Sequence, residues 1–220
     1  MYLDSITKKF DLEVFCDITF EFIEGRRYVI FGKNGSGKTT LLNIMNGNIL
    51  PDSGKLDFAK YNIMFIRNNS IPFPFMSAMD FIVQSCELKN VVYDKIKILK
   101  LIDEFGLSER EEELLVTYSK GMQYKVLLII ALLSNVDILL LDEPFSELDM
   151  VTLNKLDNLF KTYMQSATLI FTSHSIEIAN KVADEILILS KNELKTIAHK
   201  EESGNFGIVE IELIREMEEK

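Results

Sequence analysis

Four short stretches of this sequence carry residue types and spacings suited to chemistry on a phosphate. The first is Gly32-Lys33-Asn34-Gly35-Ser36-Gly37-Lys38-Thr39, which follows the apolar run Tyr28-Val29-Ile30-Phe31 and precedes Thr40-Leu41-Leu42. Its glycines let the backbone turn where a side chain would clash, so successive N–H groups can point inward at phosphate oxygens. Lys38 supplies a positive charge for the β- and γ-phosphates. Thr39 falls in the first turn of the following helix, where its hydroxyl can ligate Mg²⁺ while the positive end of the helix dipole faces the anion. The implied ligand is a nucleoside triphosphate.

The second stretch is Asp142-Glu143-Pro144, delivered by the apolar strand Ile138-Leu139-Leu140-Leu141. Asp142 can hold Mg²⁺, directly or through a water, while Glu143 orients and deprotonates an attacking water. The alternative is a pair of acids that simply ends a strand at the surface. Thr172-Ser173-His174 ends another apolar strand in the same way, which would aim His174 at the γ-phosphate from the same sheet edge. A histidine there can equally be structural or exposed, and a neutral imidazole can serve simply as a hydrogen-bond donor. In the fourth stretch, Ser119-Lys120-Gly121-Met122-Gln123, Ser119 reads as the N-cap of a long apolar helix whose N-terminus is competent to bind an anion. Every helix has an N-terminus, so this stretch gains meaning only from the other three.

The elements that must position these residues follow from periodicity. Residues 2–7, 12–22 and 55–59 have alternating or β-branched and aromatic character, with turns at Glu24-Gly25 and Asp52-Ser53-Gly54. From 77 to 115 the period is helical, with Phe81, Ile82 and Ser85, then Ile96, Leu99, Ile102 and Phe105, recurring at three- and four-residue steps until Gly106. Helices are expected at 119–133, 149–164 and 175–182, and strands at 136–141, 168–171 and 185–189. Near-continuous apolar strands alternating with helices indicate an α/β fold with a mostly parallel sheet covered on both faces. Ligands of such sheets bind at the carboxyl ends of the strands.

Composition narrows the function classes. The 220 residues are 47% hydrophobic, enough for a full core in one large domain. The formal charge of -10 argues against a protein that holds nucleic acid by neutralising phosphates, and no nucleic-acid partner is expected. The longest apolar run, 126–133, is far shorter than the roughly 20 residues a membrane span needs. The first residues lack the basic flank and apolar stretch of a secretory signal, and Cys16 and Cys86 have neither disulfide nor metal-site spacing, so a cytoplasmic location is expected.

Taken together, these motifs resemble the ATP-binding-cassette (ABC) ATPase family over about 2–194. Residues 32–39 resemble its Walker A loop, 138–143 its Walker B strand with catalytic glutamate, and Ser146-Glu147-Leu148-Asp149 its D-loop. His174 resembles the switch histidine, and Tyr118-Ser119-Lys120-Gly121-Met122-Gln123 the signature motif. The resemblance implies a single P-loop NTPase domain over 1–220, with an ABC-type core, an N-terminal antiparallel β subdomain and a helical signature subdomain at about 69–133. It implies ATP and Mg²⁺ as ligands, with Lys33, Asn34, Gly35, Ser36 and Thr40 joining Gly32, Gly37, Lys38 and Thr39 around the nucleotide. Phe10 takes the place of the aromatic that stacks on adenine, with Phe15 as the fallback.

The resemblance further implies a head-to-tail dimer, homodimeric or heterodimeric. In it Ser119, Lys120, Gly121 and Met122 serve the partner's nucleotide. Separate transmembrane subunits are implied as well, and hence a place on the cytoplasmic face of a membrane. Transport is expected in the export direction, because the signature variant and the lack of a C-terminal regulatory domain resemble exporter cassettes. Three positions depart from the family pattern: Asn68 stands where a glutamine that reaches Mg²⁺ is expected, Lys120 replaces a glycine, and Tyr118 replaces a leucine. A soluble ABC ATPase and a nucleotide-sensing switch without transport are the rival readings. The segment Ile71-Pro72-Phe73-Pro74-Phe75-Met76 either lines a groove for a membrane partner or packs within the helical subdomain.

Overall fold

The structure, a computed structural model, describes residues 1–67, 71–145, 148–200 and 206. In chain order its strands and helices are β1 (Tyr2–Lys9), β2 (Glu13–Glu21), β3 (Arg27–Phe31), α1 (Lys38–Met45), β4 (Ser53–Leu56), β5 (Ile63–Arg67), α2 (Ala78–Leu88) and α3 (Lys95–Glu104). There follow α4 (Lys120–Leu133), β6 (Ile138–Asp142), α5 (Met150–Tyr163), β7 (Thr168–Thr172), α6 (Ile176–Val182), β8 (Glu185–Leu189) and β9 (Leu194–His199). Contacts divide the chain into two units. The first gathers Met1–Phe65, Asp137–Glu143 and the chain from Ser166, and the second gathers Ile66–Val136 and Pro144–Gln165.

Two sheets are present among the described residues, a three-stranded one in the order β2-β1-β4 and a six-stranded one in the order β5-β6-β7-β3-β8-β9. The pairs β6–β7, β7–β3 and β3–β8 are parallel, whereas β8–β9 and both pairs of the small sheet are antiparallel. Every residue of β7 and β8 is buried, as is all of β6 except Asp142. That is the pattern of strands covered on both faces, and it explains why their sequences run apolar without alternation. In the first unit, Ile138, Leu140, Ile170, Tyr28, Ile30, Leu187 and Leu189 share one core cluster with Leu41, Leu42 and Met45 of α1 and with Leu3, Ile6, Phe15 and Ile18 of the small sheet. Burying those side chains contributes roughly 1.5–3 kcal/mol each before conformational entropy is subtracted.

Two sequence expectations need correction here. Asp52-Ser53-Gly54 reads as a turn, yet Ser53 and Gly54 open β4. Gly54 has φ +95, and a Cβ there would sit 2.6 Å from the Asp4 carbonyl oxygen and against that of Ser5, so only glycine permits β4 to approach β1 at the register shift between Asp4 and Thr7. In α3 the buried stripe is Ile98, Leu101 and Ile102, continued by Phe105, while Ile96 and Leu99 are exposed. Both stripes have helical spacing, and periodicity alone could not choose between them. Strand β9, which lengthens the large sheet by an antiparallel edge, carries no sequence signal strong enough to name it.

In the second unit α4 packs on α2, α3 and α5. Its residues 128–133 are all buried, which is what its all-round apolar sequence requires. Asp149 caps α5 by accepting from the Thr152 N–H at 2.8 Å and pairs with Lys125 of α4 at 2.6 Å. The Lys125 ammonium, with help from the Thr152 donors, holds the Asp149 carboxyl down at about 2. A carboxylate with a lowered pKa adds stability above its ordinary value of 3.8 and loses it as pH falls towards about 2. Asp149→Ala is therefore expected to lower stability by about 1 kcal/mol at neutral pH. In urea melts across a pH series, its deficit against the wild type should shrink through that acid window.

Candidate functional site

Strand register sets the site. In the parallel ladders Ile30 pairs with Thr172 and Leu141 with Phe171, so the carboxyl ends of β3, β6 and β7 finish side by side. Gly32, Asp142 and Thr172 are thereby brought to one sheet edge, at the place where open α/β sheets bind ligands.

The loop from β3 into α1 is shaped by two close approaches. Gly37, the N-cap of α1, has φ +94, and a Cβ on it would lie 2.5 Å from Val14 Cγ1 and 2.8 Å from Phe15 Cδ1. A Cβ on Gly32 would lie 2.6 Å from Ser36 Oγ and 2.7 Å from the Leu189 carbonyl oxygen. Lys38 is 7% exposed, and its Nζ donates to the carbonyls of Gly32 at 2.8 Å and Lys33 at 3.2 Å, arching over the loop. Burial pushes the Lys38 ammonium below its ordinary pKa, with the charges of Glu143 and Asp142 opposing that shift. Ser36 Oγ is buried without a hydrogen-bond partner, a polar atom placed where a ligand oxygen would satisfy it. Lys33, Asn34 and Gly35 line the exposed outer part of the loop, and Thr40 is half-buried in α1.

Asp142 is held from two sides. Thr39 Oγ1 donates to its Oδ2 at 2.8 Å and Thr172 Oγ1 to its Oδ1 at 3.0 Å. Glu143 is in the left-handed region at φ +48, its N–H donating to Thr172 Oγ1 at 2.8 Å. His174 Nε2 lies 3.0 Å from Glu143 Oε1. Among the described residues no three His, Cys, Asp or Glu side chains gather as a metal cluster. Mg²⁺ does not need one, because it is commonly held by one or two protein oxygens together with substrate phosphates and waters. The adjacent hydroxyl of Thr39 and carboxylate of Asp142 are a donor set of that kind.

The other expected residues fall as follows. Phe10 is 56% exposed beyond the end of β1, with Lys8 Nζ 5.2 Å from its ring centroid. Phe15 is fully buried beneath Gly37, so it cannot stack on a base. Asn68, Ser146 and Glu147 lie outside the described residues. In the second unit Ser119 caps α4, accepting from the Met122 N–H at 3.2 Å, with Lys120 exposed and Gly121 half-buried beside it. Tyr118, the departure from leucine, is 5% exposed and donates its hydroxyl to the Arg110 carbonyl at 2.6 Å, with the Arg110 guanidinium 5.4 Å from its ring centroid. Sequence reasoning gave Thr172 no role of its own. Its signal was a hydroxyl at the last position of a strand whose three central residues, Leu169, Ile170 and Phe171, are apolar.

A family model described as ABC transporter matches residues 15–146. The chain belongs to the ABC transporter family. Among its ABC relatives, the molybdate/tungstate import ATP-binding protein of Pyrococcus horikoshii is 31% identical over 87% of this chain, which spans 60% of that relative's length. An ABC transporter ATP-binding protein of Methanocaldococcus jannaschii is 31% identical over 86% of this chain and 73% of its own. The spermidine/putrescine import ATP-binding protein of Mycoplasma capricolum is 28% identical over 92% of this chain and 62% of its own. A solved ATP-binding subunit of an ABC transporter superposes with a TM-score of 0.82, covering 99% of both chains at 20% identity, which shows the shared ABC fold.

The close approach at Gly37 makes a test of the loop. Gly37→Ala combines a positive φ with contact against Val14 and Phe15, and is expected to cost about 1–3 kcal/mol of stability. Gly35→Ala, at φ +83 with no atom within 4 Å, isolates the backbone share and should cost less. Thermal melts of the two variants compare them directly.

Proposed function

We propose that this chain is the ATP-binding and ATP-hydrolysing subunit of a multi-subunit ABC transporter, driving separate transmembrane subunits from the cytoplasmic face of a membrane. The observation that carries the reading is the meeting of Thr39 with Asp142, and of Glu143 with His174, at one sheet edge beside the phosphate loop. The loop N–H groups and Lys38 bind and orient the phosphates of ATP, with Gly32, Lys33, Asn34, Gly35, Ser36, Gly37 and Thr40 around them. Lys38 acts from a poorly solvated position, where its charge is felt more strongly by a phosphoryl oxygen than it would be in water. Thr39 and Asp142 are the residues that would hold Mg²⁺, which would supply charge neutralisation on the phosphates, and the resemblance assigns Asn68 to the same ion. Glu143 takes the proton of the attacking water, and His174, whose Nε2 lies 3.0 Å from the Glu143 carboxylate, senses or holds the γ-phosphate. Phe10, exposed and apolar, stacks on adenine.

Hydrolysis is assigned to a head-to-tail dimer in which Ser119, Lys120, Gly121 and Met122 of α4 close on the partner's nucleotide, using the N–H groups of the helix N-terminus. The membrane subunits dock at 71–76, where Phe73 and Phe75 are 53% and 78% exposed and two prolines hold the segment out of helix. Among the described residues no helix is long and apolar enough to cross a membrane. Two of the relatives named above are import ATP-binding proteins, so the comparisons lend the export direction no support.

Glu143→Gln keeps the size and shape of the side chain and removes the base. It is expected to retain ATP binding, to lower turnover by about 10²–10⁴-fold, and to accumulate the ATP-bound dimer on gel filtration. Turnover at the wild-type rate would remove Glu143 from the mechanism. Phe75→Asp is expected to abolish co-purification with the membrane subunits while leaving the ATP affinity of the purified chain unchanged. Intact assembly and transport would place docking elsewhere.

A further inference from the structure

We infer that Thr172 is a positioning residue for ATP hydrolysis, the buried clamp that fixes both acidic residues of the site. This rests on the functional reading above. Thr172 is fully buried at the end of β7, and its one hydroxyl does two jobs. It donates to Asp142 Oδ1 at 3.0 Å and accepts the N–H of Glu143 at 2.8 Å. The first bond, with the Thr39 bond to Oδ2, fixes the plane of the Asp142 carboxylate and so the direction of the lone pairs offered to a metal. The second ties down the backbone of Glu143 in its left-handed turn at φ +48, a conformation uncommon for residues other than glycine. The carboxylate of Glu143 is thereby aimed at His174.

No apolar side chain of the same shape can replace this hydroxyl. Valine matches threonine in volume but leaves Asp142 Oδ1 without this donor and the Glu143 N–H without its acceptor. Outer residues that orient metal-binding carboxylates commonly change metal affinity or activity by 10–100-fold.

The test uses the purified full chain, comparing wild type, Thr172→Val, Thr172→Ala and Thr172→Ser for steady-state phosphate release, for ATP binding without metal, and for Mn²⁺ binding in the presence of ATP followed by electron paramagnetic resonance. Thr172→Val is expected to lower kcat by about 10–100-fold, to weaken Mn²⁺ binding, and to leave metal-free ATP affinity within about twofold. Thr172→Ser, which keeps the hydroxyl, is expected to restore both readouts to within a few-fold of wild type. If Thr172→Val does not fold, Thr172→Ala supplies the hydroxyl-free comparison. Equal losses in the serine and hydroxyl-free variants would reduce Thr172 to a packing residue and overturn the inference, as would wild-type kcat and Mn²⁺ binding in a folded Val or Ala variant. A wild-type chain that binds ATP with Mn²⁺ but does not turn it over would instead count against the hydrolytic reading, and the Mn²⁺ titration would still decide the role of Thr172.

Discussion

The parallel register of β6, β7 and β3 is the constraint on which the site depends. A slip of one residue in any of these ladders would turn every side chain to the other face, and would separate Gly32, Asp142 and Thr172 by about 3.3 Å along the strand. The register is held by burial on both faces: Leu139 and Leu141 point opposite to Ile138 and Leu140, and all four are fully buried. The apolar residues of these strands therefore determine where the proposed site residues meet. In β6 and β7 the polar side chains sit at the strand ends, and two of them, Asp142 and Thr172, are hydrogen-bonded to each other at 3.0 Å.

The placement of the motif residues at one sheet edge was legible in the sequence because they follow apolar strands. Gly37 must be glycine at φ +94, Lys38 must be a long cation, and Asp142 and Glu143 must follow an apolar strand. Helix starts were legible too: Ser77, Ser119, Asp149 and Ser175 each accept a backbone N–H at their cap. What stayed hidden was relational. Gly54 reads as a turn residue until the carbonyls of Asp4 and Ser5 are seen against it. The choice between Ile96 and Ile98 as the buried face of α3 depends on which side α4 occupies, and Thr172 looks like one more β-branched strand residue until its two partners are placed.

The start of α4 shows how a tyrosine can be accommodated where the resemblance leads one to expect leucine. A tyrosine at 118 must bury a ring and satisfy a hydroxyl, and both needs are met within the second unit. Arg110 provides the carbonyl acceptor and a guanidinium over the ring, and itself pairs with Glu113 at 2.7 Å. Gln123 adds to this by donating to the Leu115 carbonyl at 2.9 Å, which ties the first turn of α4 to the segment before it. The N-terminus of α4 is thus anchored by polar contacts on its inner side while Ser119 and Lys120 stay exposed on the other.

Glu143 has a consequence for how such a chain can change over time. Its backbone lies in a region where glycine and asparagine are the most comfortable residues, so variants at this one position are ranked in opposite orders by two criteria. Replacement by either would relax the main chain while deleting the carboxylate assigned to the water. Random variation screened for thermal stability should then collect inactive chains at 143. A descendant that had given up hydrolysis, and kept only nucleotide binding, would be free to drift towards glycine or asparagine there.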